Sequence, residues 1–107
     1  MTAPTVGQVR SIAVSIEGLT RQLVHYSSLA SVGACLELRD ASTALDALVA
    51  VPPPEPETRS PLLPIADIAD AIRYQLRLVD ALTADVRLRI PVITAHTHLQ
   101  MAWRYLR

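Results

Sequence analysis

Residues 85–98 read Asp85-Val86-Arg87-Leu88-Arg89-Ile90-Pro91-Val92-Ile93-Thr94-Ala95-His96-Thr97-His98, and the fold turns on what this stretch is. Val86, Leu88 and Ile90 alternate with Arg87 and Arg89, the pattern of a strand with one polar face. A lone strand leaves its backbone donors and acceptors without partners, and no other segment of the chain alternates comparably. Pro91 is more telling. It removes a backbone donor and disfavours helical geometry at Ile90. Beyond it, Val92, Ala95, Leu99, Trp103 and Leu106 follow helical spacing. Their stripe is offset by more than about 100° from the one that precedes the proline. A junction between two helices accounts for both features. Pro91 is expected at the first position of the later helix.

Upstream of the junction, Ile65, Ile68, Ile72, Leu76, Val79, Thr83 and Val86 form one narrow stripe. Asp67, Asp70, Arg73, Arg77 and Asp80 lie opposite. This predicts a helix over about 64–88, with early acids placed well for its N-terminal dipole. The helix after the junction is expected over 91–106.

Two further helices precede these. Val9, Ile12, Ile16, Leu19, Leu23 and Tyr26 alternate spacings of three and four, which predicts a helix over about 6–26. Ser27-Ser28 interrupts the pattern and supplies an N-cap for a second helix over 29–49. Its Ala30, Ala34, Leu38, Ala41, Leu45 and Leu48 make a core face. Leu29, Val32 and Leu36 point away from that face, so the first half of the helix is apolar on two sides. Six of the eight prolines fall between Pro52 and Pro64. Residues 50–63 therefore read as an extended linker rising about 3.1 Å per residue, long enough to cross a bundle from end to end. Pro53-x-x-Pro56 matches a polyproline ligand in form, but a linker needs no reader. The expected fold is all-α: one domain over 1–107, bundle-like, with four helices and a proline-rich crossover between the second and third.

Composition bounds the function. A chain of 107 residues, half of them hydrophobic and of zero formal net charge, is an ordinary globular domain. It has no long-range attraction for phosphate. All ten basic residues are arginine, and lysine, asparagine and phenylalanine are absent. This bias fits a GC-rich, bacterial coding sequence and lowers the weight of any one arginine. Cys35 is the single cysteine, which favours a reducing compartment. The opening residues lack the basic and apolar regions of a signal peptide. No run of about 18 apolar residues offers a membrane span. A cytoplasmic location is expected.

The sequence offers little catalytic machinery. On a helix, His96 and His98 point about 200° apart, so they cannot close on one metal, and no metal or cofactor is expected. His96 is expected to pack within the Leu99–Trp103 stripe and His98 to face solvent. No Gly-x-Ser-x-Gly elbow or Gly-rich phosphate loop occurs. The Arg89-x6-His96 spacing resembles the Arg-x4–6-His signature of the HEPN ribonucleases, helical bundles that dimerise to build a composite active site. The resemblance implies an acid/base role for His96 and a phosphate-stabilising role for Arg89. It covers two residues, and the chain departs from the pattern where Ile90 and Pro91 follow the arginine.

The favoured expectation is a non-enzymatic protein–protein interaction module, a self-associating dimer or a small subunit or adaptor of a larger assembly. Leu29, Val32, Leu36, Leu99, Trp103 and Leu106 are the candidate contact residues. The alternative is a nucleic-acid-binding regulator. It would use a basic patch of Arg87, Arg89, Arg104 and Arg107, in a stretch from Val86 onward that contains no acid and includes Trp103 and Tyr105.

Overall fold

The computed structural model describes residues 3–49, 61–83 and 89–107. They form four helices: α1 (Ala3–Val24), α2 (Leu29–Asp46), α3 (Ile65–Leu82) and α4 (Arg89–Leu106). No strand occurs among the described residues. The chain is an all-α four-helix bundle.

Most residues of the stripes read from the sequence are buried in the core, and Val86 lies outside the described residues. On α1, Val9, Ile12, Ile16, Leu19 and Leu23 are all buried. Ala34, Leu38, Ala41 and Leu45 of α2 are fully buried, as are Ile68, Ile72 and Val79 of α3 and Val92, Ala95, Leu99 and Ala102 of α4. One apolar cluster runs through all four helices. Small residues on α2 and α4 let those two helices share the most extensive contact in the bundle.

Each helix packs on two neighbours, in the cyclic order α1, α2, α4, α3. Specific contacts give the directions. Ser42 of α2 donates to Glu17 of α1, and Cys35 lies against Thr20, so these helices are antiparallel. Gly33 of α2 meets Tyr105 of α4, and Glu37 meets His98, another antiparallel pair. Asp80 of α3 faces His96 of α4, and Arg73 faces Trp103. The last turn of α1 holds the approach to α3. There Gln22 Oε1 accepts from the Leu63 N–H at 2.8 Å, Gln22 Nε2 donates to the Pro61 carbonyl, and the Tyr26 hydroxyl donates to the Leu63 carbonyl. It follows that α2 and α3 lie on a diagonal and point the same way.

Local chemistry sets the helix ends. Ser28 caps α2: its extended backbone (φ −69°, ψ 152°) lets Oγ accept from the Ser31 N–H at 3.1 Å, satisfying one of the free donors of the first turn. Asp46 ends α2 three residues earlier than expected, in a turn where the Leu48 N–H reaches the Leu45 carbonyl. The end of α3 is Leu82, well short of residue 88, and the Thr83 hydroxyl and N–H both return to the Asp80 carbonyl. The junction also falls earlier than expected. Ile90 is helical and Pro91 is the third residue of α4, not the first. A proline fits there because first-turn N–H groups have no intrahelical acceptor. Most of the expected proline-rich crossover, 50–63, lies outside the described residues, as do residues 84–88.

Candidate functional site

Three features stand on the faces of α4, and each follows from helical register. The first is apolar. With Ser31, Ala34 and Leu38 turned inward, the spacing of α2 puts Leu29, Val32 and Leu36 outward, at 90%, 48% and 57% exposure. The neighbouring helix adds Met101 and Tyr105, both exposed, and the Tyr105 ring lies directly over Gly33. Ile90 is exposed nearer the start of α4. Met101, Tyr105 and Ile90 did not figure among the expected contact residues, although their phase, opposite Leu99, is plain in the sequence. Leu99 itself is fully buried. It belongs to the core, because the inward stripe of α4 passes through it, and is not part of any outer surface. Trp103 and Leu106 are partly buried against that core.

The second feature is polar and lies between α2 and α4. His98 Nδ1 stands 2.5 Å from Glu37 Oε2 and 4.0 Å from Asp40 Oδ2. The side chains of His98 and Glu37 are only 27% and 15% exposed. The expectation that His98 faces solvent is thus corrected: α2 packs so closely that His98 finds a carboxylate. As foreseen, the two histidines diverge, with His96 turned toward Asp80 on α3 at 3.9 Å. The ligand atoms of Glu37, Asp40 and His98 all lie within 4.8 Å of one another, the one such grouping of three among the described residues. Their present spacing is that of a hydrogen bond. Two donors on one zinc ion, each at about 2.0–2.2 Å in tetrahedral array, stand further apart than the His98–Glu37 pair does. Glu37 and Asp40, three apart on α2, could be placed on one face from sequence, but their pairing with His98 needs the α2–α4 register.

The third feature is a groove of about 340 Å³ between α3 and α4, open to solvent and lined by Arg73, Leu76, Arg77, Asp80, His96 and Trp103, among others. The guanidinium carbons of Arg107 and Arg73 lie 4.8 Å and 5.8 Å from the Trp103 ring centroid, within cation–π range. Of the expected basic patch, Arg107 lies over Trp103, to which Arg73 of α3 also comes, and Arg104 is exposed. Arg87 lies outside the described residues, and Arg89 begins α4. Arg89 and His96 belong to one helix, two turns apart.

Among the described residues no helix is long and apolar enough to cross a membrane. Comparison with protein-family models, curated proteins and solved structures returned no match to this chain.

Proposed function

We propose that this protein is a non-enzymatic interaction module that associates through the outer face of α2 and the adjoining edge of α4, in the first instance with a second copy of itself. The observation that carries the reading is the exposure of Leu29, Val32 and Leu36 on consecutive turns of α2, beside exposed Met101 and Tyr105. The bundle core is complete without these five side chains. A grouped exposed apolar surface is the usual mark of an association face, and a contact built on one helix face suits a two-fold dimer.

The lone Cys35 agrees with a reducing, cytoplasmic setting.

The test is the mass in solution. Sedimentation equilibrium should give a dimer, and Val32→Glu or Leu36→Glu should give a monomer with an unchanged helical spectrum. A stable monomer at high concentration that binds no hydrophobic dye overturns the reading. Salt-dependent binding of nucleic acid that vanishes on Arg104→Ala plus Arg107→Ala would replace it with the regulator. RNA cleavage lost on His96→Ala would replace it with a nuclease.

A further inference from the structure

At the α2–α4 seam, two carboxylates face one imidazole. His98 Nδ1 needs a single partner, and Glu37 Oε2 supplies it at 2.5 Å. Asp40 Oδ2, 4.0 Å from the same nitrogen, is a second acid with no such task. Neither acid has a cation beside it on its own helix. Three and four residues away, where helical side chains meet, Glu37 has Gly33, Ala34 and Ala41, and Asp40 has Leu36, Thr43 and Ala44. Arg39 precedes Asp40 but points about 100° away around the helix. The α4 positions that flank His98 in the same way are threonine, alanine and methionine. Among the described residues no arginine forms an ion pair with either acid. The Glu37 side chain is largely buried, so the repulsion between the two carboxylates is screened less than it would be in water. A divalent cation relieves it.

The donor set says which cation. One imidazole nitrogen with two carboxylate oxygens suits zinc and its first-row neighbours, whereas magnesium and calcium take oxygen ligands. Facing helices of a bundle supply ligands to one ion in this way, with two of them at a spacing of three on one helix. Donors on a tetrahedral zinc stand about 3.4 Å apart. Glu37 Oε2 therefore has to withdraw from His98 by about 0.9 Å, and Asp40 Oδ2 to advance by about 0.6 Å. Rotation of the two acidic side chains provides shifts of that size without moving either helix.

We propose that Glu37, Asp40 and His98 form a site for one zinc-like divalent ion that clips α2 to α4. The ion takes the Nδ1 lone pair. A proton held on that nitrogen passes to Nε2 or to solvent, and water fills the fourth position. All three ligands belong to one chain, so the site does not depend on self-association.

The test uses the full chain without an affinity tag, stripped of metal and titrated with zinc chloride in a calorimeter. One zinc per chain should bind with a Kd at or below about 0.1 mM. His98→Ala and Asp40→Ala should each weaken binding by about tenfold or more, and His96→Ala should leave it unchanged. Asp40 is mostly exposed, so its variant tests the site even where His98→Ala disturbs the fold, and circular dichroism checks both. Because the ligands come from two helices, zinc should raise the melting temperature of the parent but not that of His98→Ala. Magnesium at about hundredfold excess should not displace zinc. Four results overturn the proposal: a Kd above about 0.1 mM, binding indifferent to His98→Ala and Asp40→Ala, loss of binding in His96→Ala, or displacement by magnesium.

Discussion

The ring of Tyr105, near the end of α4, rests on the bare backbone of Gly33 in α2. A Cβ at Gly33 would stand 2.7 Å from its Cε1 and 2.8 Å from its Cζ. Glycine is a poor helix former, and alanine in its place should contribute about 1 kcal/mol to α2. That gain is opposed only where the ring is present. Tyr105 is half-exposed, so Gly33→Ala should displace it outward without breaking the bundle. In a Tyr105→Ala background, Gly33→Ala should stabilise by about 1 kcal/mol. In the parent it should do so by at least about 0.5 kcal/mol less. Additive changes in denaturant melts of the four proteins would show that ring and glycine are not coupled.

The His98–Glu37 contact ties the same two helices one turn further along. The Glu37 side chain is largely buried, so removing its partner strands a carboxylate at the α2–α4 seam. His98→Ala should cost about 1–3 kcal/mol. Glu37→Gln keeps an acceptor facing Nδ1 and should cost less than about 1 kcal/mol. Urea unfolding of both variants and of the double variant measures the coupling. Equal losses for the two single variants would mean that the charge, and not the hydrogen bond, matters.

Much of the architecture could be read from spacing alone. Val9 to Leu23 alternate by threes and fours and all turn inward, and the stripe through Val92 and Leu99 does the same. A stripe names the buried face of a helix but not the helix it will meet. The cyclic order of the bundle depends on how four such faces combine, so the meeting of His98 with Glu37, or of Arg73 with Trp103, was hidden. Helix ends were hidden for a different reason. Pro91 penalises helix interiors strongly but first turns hardly at all, so its presence alone does not say whether a helix starts at it or two residues earlier. The outward phase of Leu29, Val32 and Leu36 was legible because one helix cannot bury two faces in a two-layer bundle.

Leu99 and Leu36 separate core from surface experimentally. Leu99 has no exposure and sits in the central cluster, so Leu99→Ala should cost about 2–5 kcal/mol through lost burial and the cavity left behind. Leu36 is more than half exposed, and in the dissociated chain Leu36→Ala should change stability by no more than about 0.5 kcal/mol. Chemical denaturation at low protein concentration reads both values without a contribution from association. A large loss at Leu36 under those conditions would place it inside the fold of the single chain.

Gln75 is the one position where the polar pattern of α3 conflicts with its packing. It is 7% exposed, and its Oε1 is buried without a hydrogen-bond partner. By register it lies on the inward side of the helix, between Ile72 and Val79. A buried amide oxygen left unpaired costs about 1–3 kcal/mol of desolvation, whereas a leucine of similar bulk would carry no such penalty. Gln75→Leu should therefore stabilise the protein by about 1 kcal/mol. For a domain of this size, that raises the melting temperature by about 4–8 °C. Gln75→Ala should not reproduce the gain, because it removes the oxygen but leaves a cavity in the core. Differential scanning calorimetry on the two variants decides the matter. A lowered melting temperature for Gln75→Leu would mean that the amide is held by a partner in solution and contributes to the packing of α3.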